Sequence, residues 1–196
     1  MNLHDTLFPE TRAALLGLCL LNPNRRFFLR EIIRRLGSGR STVQSEVQRL
    51  TETGILTSHR EGRRLYYQAN QESPVYPSLQ ELLQITIGPV GRIRVVLAPL
   101  EQRIDLAFVY GSMARYQATD ASDIDLMLIG DIGFGEVCDL LSPAEKQLER
   151  EINPSVYPAH EFREKNSKGN SFLRTVRQQP KLFVIGCTKD LDHLDP

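Results

Sequence analysis

The sequence has no tryptophan and few cysteines. Its three cysteines, Cys19, Cys138 and Cys187, lie far apart, and no two of them form a CxxC pair. An odd number of widely spaced cysteines provides neither a disulfide framework nor the ligand spacing of a structural zinc site. The cysteines therefore indicate reduced thiols in a cytosolic protein.

A long hydrophobic run is also missing. We find no apolar stretch that approaches the roughly 18 to 20 residues needed to span a bilayer. The stretch "RAALLGLCLLN" (12–22) is too short for a span and has no cleavage site, so we expect no signal peptide. With 41% hydrophobic and 24% charged residues, the composition is typical of a soluble globular protein. We expect a cytoplasmic protein without membrane association, folded as one ordinary domain or two small ones.

Lysine is absent from the first 72 residues, where arginine supplies the positive charge. Residues 1–72 contain eleven Arg and seven acidic residues, a net charge of +4, whereas residues 73–196 carry −4. Within residues 25–64, ten Arg face four Glu, a net charge of +6. The formal net charge of zero thus conceals two modules that we expect to have different partners.

The basic module has a regular order of predicted elements. Apolar positions at helical spacing predict a helix within residues 5–21, a second over "FFLREIIRRL" (27–36) and a third over residues 40–54, after the turn "GSG". "ILTSHREGRRLYYQA" (55–69) then predicts two short strands around a turn at Glu61-Gly62. The third helix needs Val43, Val47 and Leu50 for the core, which leaves its polar face free for a partner.

This order resembles the winged helix-turn-helix regulators of bacteria and archaea, most closely the arsenic-repressor-like group. The resemblance covers roughly residues 8–70 and implies a DNA-binding domain over residues 1–72 that meets double-stranded DNA as a homodimer. A winged helix used for protein contacts is the alternative. Arginine and short polar side chains suit base edges and phosphates. The predicted DNA-binding residues are Arg40, Ser41, Gln44, Ser45, Gln48 and Arg49 on the third helix, with Arg60, Arg63 and Arg64 on the hairpin.

The remainder of the chain is organised differently. Two prolines mark "NQESPVYPS" (70–78) as a linker, and we expect a linker helix within residues 73–90. Residues 91–196 alternate strands with helices, which predicts an α/β module. We expect the tail "KDLDHLDP" (189–196) to be a loose terminus. The predicted fold class is therefore a two-domain α+β and α/β protein.

The stretch "VYGSMARYQATDASDIDLML" (109–128) places polar residues in two core-like strands. Gly111-Ser112 ends an apolar strand and opens a helix, so its N–H groups and hydroxyl can hold phosphate oxygens. Asp123 and Asp125 are two residues apart, so both carboxylates point to the same face of a strand. Two adjacent carboxylates repel each other unless a cation lies between them. Magnesium, which binds oxygen ligands together with substrate phosphates, fits this requirement.

This spacing resembles the signature of the polymerase-β nucleotidyltransferase superfamily, in particular its minimal nucleotidyltransferase branch, over about residues 90–190. The resemblance implies a nucleotidyltransferase domain over residues 91–196, with a small mixed sheet flanked by helices. It also implies transfer of a nucleoside monophosphate from a nucleoside triphosphate to a hydroxyl of a protein or small molecule. Asp123 and Asp125 would be the catalytic ligands of Mg²⁺, while Gly111, Ser112 and Arg115 would bind the nucleotide. The branch also implies toxin–antitoxin systems, and with them a toxin-like protein partner.

One feature departs from the family pattern. Active members usually add a third carboxylate from a later strand, and the corresponding segment here is "REINPSVYP" (150–158). We expect Asn153 or Ser155 at that place, with Glu151 as a substitute only if the strand register allows it. Because an amide brings no charge to a second metal, two hypotheses stay open. One is a DNA-binding enzyme, and the other is a non-catalytic, antitoxin-like transcription regulator whose second domain senses nucleotide or binds a partner.

Overall fold

The computed structural model of the chain describes residues 6–115 and 122–194. They fall into two compact units, which divide between Gly88 and Pro89. Each unit has its own sheet and its own buried core.

The first unit combines helices with a small antiparallel sheet whose strand order is β1-β3-β2. Helix α2 ends where Gly37 adopts a left-handed conformation (φ +64°), which lets its N–H donate to the carbonyl of Ile33. The described elements are α1 (Glu10–Leu20), β1 (Phe27–Phe28), α2 (Leu29–Leu36), α3 (Arg40–Glu52), β2 (Leu56–Glu61), β3 (Arg64–Ala69) and α4 (Tyr76–Thr86).

The short strand β1 differs from the prediction, which began the second helix at residue 27. Phe27 and Phe28 instead pair with Tyr67 and Tyr66 of β3, and α2 begins only at Leu29. Aromatic residues favour strands when a partner strand is available, and the Phe27 ring is fully buried there. The partner that decides this lies some forty residues away, so local periodicity cannot reveal it.

Helix α4 was predicted as part of a linker between residues 73 and 90. In the structure it belongs to the first unit, where Tyr76 and Leu83 join the core that α1, α2 and α3 form. The buried Gln80 amide of α4 donates to the carbonyl of Leu20 at 3.2 Å, which ties α4 to the end of α1. This segment is therefore a structural part of the first unit.

One described segment, Tyr76–Arg103, is long and apolar enough by length and composition to cross a membrane, since an 18-residue stretch of it has a mean hydropathy of 1.2. The segment is not one continuous α-helix, because α4 ends at Thr86, α5 (Pro89–Leu97) follows, and a 3-10 helix (Ala98–Arg103) completes it. Core helices of soluble proteins share this length and composition, so the segment does not by itself indicate a membrane span.

The second unit is built on a four-stranded mixed sheet of order β6-β5-β4-β7. Strand β4 pairs antiparallel with both β5 and β7, whereas β5 pairs parallel with β6. The prediction that this part of the chain combines helices with strands is confirmed. Besides α5 and the 3-10 helix, the described elements are β4 (Ile104–Tyr110), α6 (Gly111–Ala114), β5 (Ile124–Gly130), α7 (Phe134–Leu148), β6 (Ile152–Tyr157), α8 (Ala159–Ser167), α9 (Ser171–Gln178), β7 (Leu182–Ile185) and α10 (Thr188–His193).

The face of this sheet that carries Phe108 and Met127 is covered by α8 and α9 through Phe162, Leu173 and Val176. Helices α5 and α7 pack against each other and against the sheet strands β7 and β6, respectively. Strands β4 and β5 are central in the sheet and buried along most of their length, as their near-continuous apolar runs predict. Polar residues therefore concentrate at the ends of these strands.

Most of the predicted loose tail (189–196) is helical, while residues 195 and 196 lie outside the described residues. Residues Thr188–His193 form α10, and Leu191 and Leu194 are 5% and 6% exposed against the sheet core. The Asp190 carboxylate accepts a hydrogen bond from the N–H of Cys187 at 2.8 Å, which caps the helix. Two leucines at helical spacing (i, i+3) are the signal that the acidic composition of the tail obscured.

Candidate functional site

The candidate site lies at one edge of the sheet in the second unit, where three neighbouring strands bring polar residues together. Tyr110, the last residue of β4, pairs with Asp125 of β5. Asp125 in turn lies directly opposite Asn153 of β6. Paired residues on adjacent strands point to the same face of a sheet. Tyr110, Asp125 and Asn153 therefore share one face, with Asp123 immediately before β5 at the same edge.

Gly111 makes the turn from β4 into α6, and it lies against the second aspartate. Its φ of +74° is in the left-handed region, where a side chain is strained. A Cβ at this position would meet the carboxylate of Asp125, including Cγ at 3.2 Å. Glycine is thus required both by the backbone conformation and by the close approach of the carboxylate. Ser112 follows, half-buried, and Arg115 is exposed at the end of α6.

The electrostatics of Asp125 reflect this setting. Burial raises the pKa of the Asp125 carboxyl, and the nearby charge of Asp123 raises it further, while the Arg115 guanidinium opposes both. The carboxylates of Asp123 and Asp125 thus act on each other, as their spacing predicted. A site where two carboxylates repel and one is partly desolvated is stabilised by a cation.

Asn153 takes the place opposite Asp125 that the register left open. Its Nδ2 donates to Oδ2 of Asp123 at 3.4 Å. Ser155 lies one pleat further along β6, where its hydroxyl forms a hydrogen bond with that of Tyr110. Glu151 precedes the strand, and its carbonyl accepts from the N–H of Ile124. Among residues 6–115 and 122–194, no three His, Cys, Asp or Glu side chains lie close enough together to hold a metal ion without further ligands.

These donors fit a single divalent cation better than a pair. The two carboxylates at this edge match the oxygen ligands that magnesium shares with substrate phosphates. The amide of Asn153 can offer a neutral oxygen but no charge. Asp123 and Asp125, with Asn153 opposite, could therefore hold one divalent ion.

The predicted DNA-binding residues lie in the first unit on one helix and one hairpin. Helix α3 buries Val43, Val47 and Leu50, which leaves its opposite face in solvent. The hairpin turns through Gly62 and Arg63, between the paired Glu61 and Arg64. All nine side chains are exposed: Arg40, Ser41, Gln44, Ser45, Gln48, Arg49, Arg60, Arg63 and Arg64.

Some contacts that matter were not predicted. The Arg12 guanidinium of α1 contacts the Glu46 carboxylate of α3 at 2.8 Å, and this hydrogen bond lowers the pKa of Glu46. Arg26 reaches Glu61 on the hairpin at 2.6 Å. Both pairs join residues more than thirty positions apart, so no sequence spacing could have revealed them.

Comparison with known proteins finds a family match within the second unit. A family model described as polymerase beta, nucleotidyltransferase matches residues 96–157, a range that includes Gly111, Asp123, Asp125 and Asn153. A protein of Methanocaldococcus jannaschii named "Putative protein adenylyltransferase" is 34% identical over 82 residues, which cover 41% of this chain and 79% of that protein.

A solved structure described as a toxin-antitoxin with AMP-PNP also matches, at 12% identity and a TM-score of 0.38. The match covers 54% of this chain and 79% of the other. A likeness of this degree carries no argument about function. The family model and the M. jannaschii relative together show the family of this chain. Nucleotidyltransferases of this family generally use a divalent metal. The chain belongs to the polymerase beta nucleotidyltransferase family.

Proposed function

We propose that the second unit binds a magnesium–nucleoside triphosphate at the edge formed by Asp123 and Asp125 and transfers its nucleoside monophosphate to an acceptor hydroxyl. The observation that carries this proposal is the close approach of the Asp125 carboxylate to Gly111, where it fills the space that a side chain would occupy. It brings the Gly111-Ser112 turn, which would hold the phosphates, close to the two carboxylates that would hold the cation. Transfer requires phosphates and cation to be held together.

Each residue of the edge has a role in this proposal. Asp123 and Asp125 would hold the magnesium ion, and the backbone of Gly111 with the hydroxyl of Ser112 would hold the β- and γ-phosphates. Arg115 would neutralise part of the triphosphate charge. When bound, the ion supplies charge stabilisation to the phosphates. The acceptor oxygen forms a bond to the α-phosphorus, the bond from that phosphorus to the bridging oxygen breaks, and pyrophosphate departs with the bonding electrons while the hydroxyl proton goes to water.

The acceptor is proposed to be a protein. The relative from M. jannaschii is named for adenylyl transfer to protein, which supports a protein acceptor here. A small-molecule hydroxyl is the other acceptor consistent with this chemistry.

A second candidate function is a regulator that binds nucleotide without transferring it. The Asn153 amide favours this candidate, because it supplies no third negative charge opposite Asp125. In that case the second unit would sense nucleotide or contact a protein partner, in the manner of an antitoxin.

One experiment separates the two functions. The protein is incubated with magnesium, cell extract and nucleoside triphosphates labelled either at the α- or at the γ-phosphate. Nucleotidyl transfer predicts that only the α-label appears on an acceptor, and that Asp123→Ala or Asp125→Ala abolishes its appearance. Magnesium-dependent nucleotide binding without any transferred label identifies the sensor, and the absence of both overturns the proposal.

For the first unit, we propose a winged helix-turn-helix that binds double-stranded DNA as a homodimer. The proposal is supported by the element order, by the exposed polar face of α3 and by the exposed arginines of the hairpin. Helix α3 would enter the major groove, and the hairpin would approach the neighbouring backbone. The protein would act in the cytoplasm. The second unit would signal the level of nucleotide, or the modification that it carries out, to this DNA-binding unit or to a toxin-like partner.

Substitutions on the two DNA-facing elements test this proposal. Arg40→Ala and Gln44→Ala should each weaken specific DNA binding by about 1–3 kcal/mol and relax the base preference. Arg63→Ala and Arg64→Ala should weaken binding to every sequence alike, each lowering the salt slope by about one unit. Affinity that is independent of salt in the wild type would refute DNA binding by this surface.

A further inference from the structure

An aromatic ring stands exposed at the rim of the candidate site. Phe172, the second residue of α9, is 40% exposed, although phenylalanine is usually buried. Its ring meets that of Tyr110 edge to face, with centroids 6.1 Å apart and planes at 72°. Single exposed hydrophobic residues are common on protein surfaces. What distinguishes Phe172 is its position beside the candidate site.

Tyr110 connects this ring directly to the polar edge. It immediately precedes Gly111, pairs with Asp125 in the sheet and forms a hydrogen bond with Ser155. Tyr110 itself is only 9% exposed, so its ring is not available as a surface for a ligand. Phe172 is therefore the open member of an aromatic pair whose other member adjoins the phosphate-binding turn.

The ring of Phe172 is also held in place. The neighbouring Leu173 and Val176 anchor α9 in the core, and Asn170 caps the helix by accepting from the N–H of Leu173 at 3.1 Å. Phe172 lies beside this buried stripe and not within it. A half-exposed ring that packs on Tyr110 and is carried by an anchored helix is a preorganised surface for another flat ring.

We propose that Phe172 is the platform on which the base of the bound nucleoside triphosphate stacks, an inference that rests on the proposed nucleotide site. The triphosphate would lie over Gly111 and Ser112, and the base would extend along Tyr110 to Phe172. Stacking accepts every base because each has a π-face. It favours purines for their larger area, so the site takes ATP and GTP more tightly than CTP and UTP.

The test separates the base from the phosphates. Calorimetry measures, in magnesium, the affinity of an ATP analogue with a methylene group between the α- and β-phosphates and that of inorganic tripolyphosphate. Phe172→Ala should weaken the analogue by at least about fivefold and leave tripolyphosphate unchanged. Phe134→Ala is the matched control: its ring is 59% exposed on α7, beyond the far end of β5 and so about 20 Å from the carboxylates.

A conservative variant adds a direct signal. The chain contains no tryptophan, so Phe172→Trp introduces a single fluorescent side chain. The variant should bind the analogue as tightly as the wild type does. Its fluorescence should change when the analogue binds but not when tripolyphosphate binds. Equal analogue affinity in Phe172→Ala and wild type overturns the inference, and so does an equal loss for both ligands, which would make Phe172 a structural support. Failure of the wild type to bind either ligand removes the proposed nucleotide site itself.

Discussion

Replacing Asn153 by aspartate tests the arrangement of the polar edge most directly. The change puts a third carboxylate opposite Asp125, where the wild-type amide donates to Asp123 at 3.4 Å. Two charges at about 4 Å repel by about 1 kcal/mol at the dielectric of water and about 4 kcal/mol near a protein surface. Because Asn153 and Asp123 are both exposed, the lower figure applies.

The predicted effect changes sign when metal is added. In chelator, Asn153→Asp should unfold about 4 °C below the wild type, as a loss of about 1 kcal/mol implies for a unit of this size. With manganese and a non-hydrolysable nucleotide, the added ligand should bind the cation at least about tenfold more tightly, a gain of about 1.4 kcal/mol. The gain exceeds the cost, so the order of the two melting temperatures should reverse.

Thermal unfolding with and without manganese is the assay, and manganese stoichiometry measured by electron paramagnetic resonance accompanies it. We expect one bound ion in the wild type and two in Asn153→Asp. Asn153→Ala removes the hydrogen bond without adding charge, and Gln102→Glu adds the same charge at an exposed position on the 3-10 helix. Neither control should show the reversal.

Two results would refute the reasoning. If Asn153→Asp melts with the wild type in chelator, the side chain at 153 does not face the aspartates. If it melts lower but gains no more from manganese than the wild type does, the edge is not a metal site.

Other substitutions give separate tests. Since burial and Asp123 raise the pKa of Asp125 above its ordinary 3.8, Asp125→Asn should raise the melting temperature at pH 7 without metal, and the gain should disappear as the pH falls towards 3.8; a gain independent of pH contradicts the assigned cause. Gly111→Ala should cost at least about 1–2 kcal/mol by chemical denaturation, because its φ is positive, and should prevent nucleotide binding in a titration. Arg12→Ala leaves Glu46 half-buried without its partner and should cost about 1 kcal/mol. Since Arg12 lowers the pKa of Glu46 from 4.5, the difference from wild type should be complete above pH 4.5 and shrink as the pH falls below it.

The candidate site shows how far the motif itself could be interpreted. The resemblance of the stretch from Gly111 to Asp125 to a known family signature predicted a nucleotidyltransferase domain, and this prediction is confirmed. Chemistry forces such a signal into the sequence, since a glycine turn and two alternating carboxylates must occur at nearly fixed distances. The individual roles of Gly111, Ser112, Arg115, Asp123 and Asp125 stay predictions until binding is measured.

The third strand could not be interpreted in the same way. Pro154 interrupts the pattern of β6, and a shift by one residue would exchange the faces of Asn153 and Ile152. Only pairing with β5 decides that Asn153 lies opposite Asp125. The aromatic pair of Tyr110 and Phe172 is hidden for the same reason, because sixty-two positions separate its members along the chain.

What the sequence by itself determined is local: charge distribution, the apolar stripes of helices and strands, and the spacing of the Gly-Ser and Asp-x-Asp residues. The tertiary structure alone decided which distant segments pair and pack. It made Phe27 and Phe28 a strand, assigned α4 to the first unit, folded the tail into a helix and placed an amide opposite Asp125. Hydrogen bonds between strands and burial against a core depend on neighbours far away in the sequence, so their outcome becomes visible only once the chain is folded.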